Sequence, residues 1–142
     1  MKKSNDSFGF LVNDIARLMK QSFYANLEHG NLTLAQSRAL IFISRNEGVR
    51  QVDIADMMEI KPITLARLID QLSDVGLVER RQDPNDRRAY RLFLTNEAAP
   101  HLEKIAEYGE SLRVSALAGL SPEEEAQLMA ALFKVRLNLI NN

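Results

Sequence analysis

Between Pro62 and Thr95 the spacing of apolar residues switches from helical to extended, and one glycine marks the switch. Leu65, Leu68, Ile69 and Leu72 recur at i, i+3, i+4 and i+7, which is one stripe of a helix. Pro62 suits the first helical position, where a missing N–H costs nothing. Gly76 suits a left-handed cap at the other end. Beyond it, Leu77-Val78-Glu79-Arg80-Arg81 and Tyr90-Arg91-Leu92-Phe93-Leu94 read as two short strands, with Leu92 and Leu94 on one face. Between them, the seven residues Gln82 to Arg88 form a polar turn rich in turn formers, followed by Ala89. Few architectures accept a helix, a glycine stop and a charged hairpin in so short a stretch.

Upstream, Gln51 to Met58 is a short helix that buries Ile54, Ala55 and Met58. The order from Gln51 to Thr95 is then helix, tight turn, helix, strand, charged turn, strand, which is a winged helix-turn-helix. The turn between the helices usually favours glycine. Here it holds Glu59, which would cost about 1–2 kcal/mol if left-handed.

Such a unit grips duplex DNA. Opposite the apolar stripe of the second helix, Thr64, Arg67 and Gln71 lie three and four residues apart on one side. Arginine pairs with guanine in the major groove, glutamine with adenine, and threonine meets a base edge or a thymine methyl. Lys61 precedes that helix and is placed for a phosphate. Arg50 and Gln51 open the first helix, where exposed N–H groups hold phosphate. From Arg80 to Arg91 there are five arginines and two acids. A protruding hairpin with that charge can enter a minor groove, whose negative potential attracts arginine. Arg87 and Arg91 are candidate phosphate contacts or solvated charges, Arg88 lies between them, and Asp86 is a candidate Asx-turn residue.

The stretch also resembles a known family. Asp86-Arg87-Arg88, five residues, then Leu94-Thr95 is similar to the D-x-R-x5-L-T wing of the MarR (multiple antibiotic resistance regulator) family. EIKPITLARLIDQLSDVGLVERR, from Glu59 to Arg81, resembles that family's recognition helix and first wing strand, nearest its SlyA-like branch. The likeness runs from about Leu11 to the C-terminus. It implies that Arg88 is the arginine inserted into the minor groove and that Asp86 orients it. It also implies a homodimer and a small aromatic acid or phenol bound between dimer helices and winged part. Arg17, Lys20 and Arg38 come from the helices expected to hold such an effector.

The rest of the chain fits a single 142-residue domain, mainly α with a small antiparallel β wing. A winged helix-turn-helix over 33–95 is flanked by helical dimerisation parts at 7–30 and 96–142. The first helix, about Ser7 to Glu28, carries Phe8, Leu11, Val12, Ile15, Leu18 and Met19 and closes at Gly30. Thr33 and Gln36 form a capping box for a helix with Ala39, Leu40 and Ile43 inward, stopping near Gly48. A helix from about Asn96 to Ala118 is bent near Pro100. Ser121 and Glu124 form a second capping box, and Leu128, Leu132, Val135 and Leu139 follow at coiled-coil spacing. These outer helices carry more apolar surface than a compact winged helix needs. The resemblance supplies a second copy as the reason, and symmetry then asks for a pseudo-palindromic operator.

Several function classes are excluded. There is no cysteine, hence no disulfide, thiol sensor or cysteine zinc site. His29 and His101, the only histidines, are a weak case for a zinc site, which needs several ligands of suitable spacing, and no motif places a nucleophile on a sharp turn. No enzyme activity and no cofactor are expected. No apolar run is long enough to span a bilayer and no signal-peptide core follows Met1-Lys2-Lys3-Ser4, so a cytoplasmic protein is expected. The net charge of −1 argues against a non-specific electrostatic binder. The expectation is a sequence-specific transcription regulator, a repressor, acting on double-stranded DNA. A winged helix used only for protein–protein contact is the alternative.

Overall fold

The computed structural model describes residues 6–27 and 31–142. His29 and the expected closure at Gly30 lie outside the described residues. The elements are α1 (Phe8–Leu27), α2 (Leu34–Arg45), α3 (Gln51–Met58), α4 (Pro62–Asp74), β1 (Val78–Asp83), β2 (Asp86–Leu94), a 3-10 turn (Asn96–Ala98), α5 (Ala99–Ala116) and α6 (Pro122–Ile140). The fold class expected from the sequence, helices with one antiparallel hairpin, is the one observed.

Both capping boxes form. The Gln36 N–H donates to Thr33 Oγ1 at 3.1 Å and the Thr33 N–H donates back to Gln36 Oε1 at 3.0 Å. Ser121 and Glu124 make the same exchange at the start of α6. Each box satisfies two N–H groups that a helix start leaves without intrahelical partners.

The core lies where α2, α3, α4 and the hairpin meet. Leu40, Ile43, Ile54, Leu65, Ile69, Leu72 and Leu92 are fully buried there. Each such side chain gains about 1.5–3 kcal/mol on leaving water. The stripe of α4 is buried only along Leu65, Ile69 and Leu72, with Leu68 half-buried at its edge. The opposite face of that helix is left uncovered.

The hairpin is longer than the sequence reading. Gln82-Asp83 and Asp86 to Ala89 are strand, and only Pro84-Asn85 turns the chain. Asp83 pairs with Asp86 after a register shift at Gln82. The Asp83 Oδ1 atom accepts the Asn85 N–H at 2.8 Å, so one carboxylate closes the turn that seven polar residues suggested. The hairpin is also tied to the helical layer by backbone. Gly48 N–H donates to Leu92 O and Leu92 N–H donates to Val49 O, which adds a short bridge beside β2.

Two further differences are local. Pro100 lies in the first turn of α5, which begins at Ala99 after the 3-10 turn, so it bends no helix interior. Glu59 does adopt the left-handed conformation, at φ 56° and ψ 40°. Its N–H caps α3 by donating to Ala55 O and Asp56 O.

The outer helices are attached differently. α1 packs on α5, with the Phe23 ring 3.9 Å from where a Cβ would stand on Gly109. Arg113 of α5 pairs with Glu125 of α6 and with Glu110 on its own helix. α6 has no buried residue, and α1 has only Leu27 among its described residues. Phe8, Phe10, Leu11, Leu18, Leu132, Phe133 and Leu139 all stand exposed.

Glu59→Gly should raise stability, because glycine removes a left-handed cost of about 1–2 kcal/mol and adds about 0.5–1 kcal/mol of chain entropy. A thermal melt should show a midpoint about 1–3 °C higher. A lower midpoint would mean that the glutamate side chain stabilises this turn.

Candidate nucleic-acid interface

The uncovered face of α4 carries Ile63, Thr64, Arg67 and Gln71. Arg67 has no hydrogen-bond or ion-pair partner among the described residues. Thr64 is exposed, and its N–H donates to Lys61 O in the first turn. Lys61 is the exposed residue that caps α4, with extended backbone and no side-chain hydrogen bond. Gln71 is less free, because its Oε1 accepts from Gln36 Nε2 at 3.1 Å. A bidentate grip on adenine needs both ends of the amide, so Gln71 would have to release Gln36 to make one. Ile63 was missed by the sequence reading. It is 62% exposed, and an exposed isoleucine beside a threonine and an arginine suits a thymine methyl. Its offset from the apolar stripe was the signal that could have found it.

The arginines of the hairpin divide into two sets. Arg80, Arg81 and Arg91 are engaged within the chain. Arg80 bonds Gln51, Asp70 and Ala66, while Arg81 lies 3.9 Å over the Phe93 ring and pairs with Glu79. Arg91 donates through Nε to Asp83 Oδ2 at 3.0 Å and through a terminal nitrogen to Gly48 O at 3.3 Å. Arg87 and Arg88 have no side-chain partner among the described residues, and both are exposed. Asp86 Oδ1 accepts the Arg88 N–H at 3.0 Å, so the carboxylate orders the backbone that carries Arg88. It makes no bond to the Arg88 guanidinium among the described residues. The outward positive charge of the hairpin is therefore concentrated at Arg87 and Arg88.

Arg50 is drawn inward as well. Its Nε is buried 4.0 Å from Asp83 Oδ2 without a hydrogen bond, and its terminal nitrogen is 3.6 Å from Asp86 Oδ2. Asp83 thus sits between two guanidinium groups with its side chain only 5% exposed. The Asn85 N–H, and then Arg91 and Arg50, hold its carboxyl below the ordinary 3.8 despite the opposing effect of burial. Sequence reasoning placed Arg50 and Arg91 on phosphate. The structure joins both to one buried acid, so their first role here is to fix the hairpin against α3.

Between the hairpin and the starts of α3 and α4 lies a cleft of about 330 Å³. Arg50, Gln51, Val52, Pro62, Arg88 and Tyr90 line it, with Asp86 and Ala89. Tyr90 is 46% exposed and adds an aromatic wall that the sequence reading did not single out. The start of α4, at Pro62, and Arg88 of the hairpin are both walls of this cleft.

A second cavity of about 540 Å³ lies between the end of α1, the start of α2 and α5. Leu27, Leu32, Ser37, His101, Lys104 and Tyr108 are among its walls. None of Arg17, Lys20 and Arg38 lines it. Arg17 pairs with Asp14 on its own helix at 2.6 Å. Arg38 donates to Met58 O at 3.0 Å and lies over the Phe42 ring. Lys20 is exposed on α1. No group of three or more His, Asp or Glu side chains among the described residues could hold a metal ion. No helix among them is long and apolar enough to cross a membrane.

Residues 32–90 match the MarR family model. The fold is similar to wild-type MarR from E. coli in its apo form, with a TM-score of 0.80 and 25% identity over 94% of this chain and 98% of that one. It is also similar to a Listeria monocytogenes protein, described as a MarR family transcriptional regulator and solved with a 26mer DNA. That match has a TM-score of 0.76 and 26% identity over 96% of this chain and 91% of that one. A SlyA-like transcription regulator of the same organism matches at 0.76 and 27%, with the same coverage. The fold is that of the MarR winged helix.

Asp83 gives a pH prediction. Its folded pKa is lowered, so its contribution is complete above the unfolded value near 3.8 and is lost as pH falls through the folded value. The thermal midpoint of the parent should exceed that of Asp83→Asn at pH 6, and the gap should close as pH drops below about 4. A gap that stays constant from pH 6 to pH 3 would remove the ionised carboxylate from the account.

Proposed function

We propose that this chain is a DNA-binding transcription regulator of the MarR type. One observation carries the reading. Pro62, the first residue of α4, and Arg88 of the hairpin line one cleft, and the exposed Ile63, Thr64 and Arg67 follow Pro62 in α4, as the exposed Arg87, without a side-chain partner among the described residues, precedes Arg88. Arg67 and Thr64, joined by Ile63, read base edges in the major groove, while Arg88 enters the adjacent minor groove. Lys61, Gln51 and Arg87 meet phosphate. Arg50 and Arg91 reach it only with the charge left over from Asp83, and Asp86 holds the backbone of Arg88. The likeness to a Listeria monocytogenes protein solved with a 26mer DNA supports this reading.

The reading extends to a homodimer and a repressor. The exposed apolar faces of α1 and α6 are what a second copy would cover. Two recognition helices about 34 Å apart would then address a pseudo-palindrome. A small aromatic acid or phenol is the proposed effector. The cavity walled by His101, Lys104 and Tyr108 suits it better than Arg17, Lys20 and Arg38 do. It offers cationic and aromatic groups together. The effector would act by favouring a dimer whose α4 helices no longer match successive grooves, with a coupling of about 1–3 kcal/mol.

Selection of bound sequences from random duplex DNA tests the whole reading. The selected operator should lose affinity steeply with salt, since counterions are released from each neutralised phosphate. Arg67→Ala should cost about 1–3 kcal/mol and relax preference at one base pair of each half-site. Arg88→Ala should weaken binding and flatten the salt slope by about one per arginine removed. If no duplex is enriched at low salt, the winged unit serves protein contact instead. Adding operator should also lower effector affinity by the factor with which effector lowers operator affinity, as measured by titration calorimetry.

A further inference from the structure

Arg80 makes three hydrogen bonds to three different places. Its Nε donates to Gln51 Oε1 at 3.0 Å, one terminal nitrogen donates to Asp70 Oδ1 at 2.6 Å and the other to Ala66 O at 3.0 Å. The side chain is 25% exposed, so these bonds are partly shielded from water. One guanidinium therefore joins the first residue of α3, the middle of α4 and the first wing strand. A guanidinium nitrogen only donates, so the amide atom facing it must be the oxygen. That fixes the orientation of the Gln51 amide and turns its –NH2 away from Arg80. Nothing among the described residues accepts from that –NH2. Gln51 lines the cleft between hairpin and helices.

We propose that Arg80 is a positioning residue that holds the Gln51 amide with its donors toward a phosphate in the cleft, without touching nucleic acid itself. The inference rests on the DNA-binding reading above. Free in solution, a glutamine amide turns between two orientations, and only one offers N–H to an anionic oxygen. The other would set an amide oxygen against the phosphate. Arg80 removes the second orientation, and Asp70 and Ala66 hold Arg80 in place. Lysine cannot do the same, because it lacks the forked donors that reach three acceptors at once. The first residue of α3 thus becomes a defined phosphate ligand rather than a solvated polar side chain.

The test is a double-mutant cycle on the selected operator, with full-length protein and salt titrations. Gln51→Met removes the donor, and Arg80→Met removes the constraint on it. Each should weaken operator binding about tenfold, as expected for one lost hydrogen bond to a charged group. The double variant should lose little more than the weaker single variant, because both remove the same interaction. Salt slopes should stay at the parent value, since a neutral amide displaces no counterion. If Arg80→Met melts below the assay temperature, Arg80→Lys carries the cycle, because it too lacks the Nε–H that meets Gln51. Multiplicative losses would overturn the proposal, as would parent-like binding by Gln51→Met. A slope flattened by about one in the Arg80 variant would make Arg80 a direct phosphate contact. Parent protein that selects no duplex would overturn the DNA reading and this inference with it, whereas a bound operator with an additive cycle would overturn this inference alone.

Discussion

Burial of Leu65, Ile69 and Leu72 on one side of α4 is the constraint on which everything else rests. These three side chains are fully buried against the helical and hairpin parts of the core. Removing any one would leave a cavity costing about 2–5 kcal/mol. That burial fixes the roll of α4 about its own axis. Once the roll is set, Ile63, Thr64 and Arg67 must face out, because helical geometry leaves them no other side. Recognition chemistry here follows from where the oily side chains go.

Charge is arranged by subtraction. The chain is slightly acidic overall, at −1, yet it keeps a local excess of positive charge on the wing. Most wing arginines are neutralised where they stand. Arg80 meets Asp70, Arg81 meets Glu79, and Arg91 and Arg50 share Asp83. What remains outward is Arg87 and Arg88, on backbone ordered by Asp86. Of these acids only Asp83 is buried, and it ties β1 to Arg91 of β2 and to Arg50 at the start of α3. A rigid hairpin with two outward guanidinium groups is a better groove probe than a flexible one with five.

Much of this was legible in the sequence. The glycine at position 76, the proline at 62 and the two capping boxes set element ends through local backbone chemistry, and the observed ends agree with them. The left-handed Glu59 was also foreseeable from its place in the tight turn. What sequence reasoning missed was tertiary. Nothing in the spacing of Arg50, Asp83 and Arg91 announces that they converge, since they lie on three elements. The same holds for Gln71 and Gln36, which are 35 residues apart. The hairpin was read too short because a turn-rich composition does not say which two residues turn. Here Asp83 decides it by capturing the Asn85 N–H. Arg17 and Arg38, expected from helix and charge to hold an effector, meet Asp14 and the Met58 carbonyl, contacts that their spacing does not announce.

Gln36 has two duties that are easy to overlook. Its oxygen closes the first turn of α2, and its nitrogen reaches across to Gln71 on α4. Leu32 and Ser37, on either side of that turn, are walls of the larger cavity. The first turn of α2 thus borders that space through Leu32 and Ser37 and touches α4 through Gln36. A change that shifts this turn would therefore alter the cavity wall and the Gln36–Gln71 contact together.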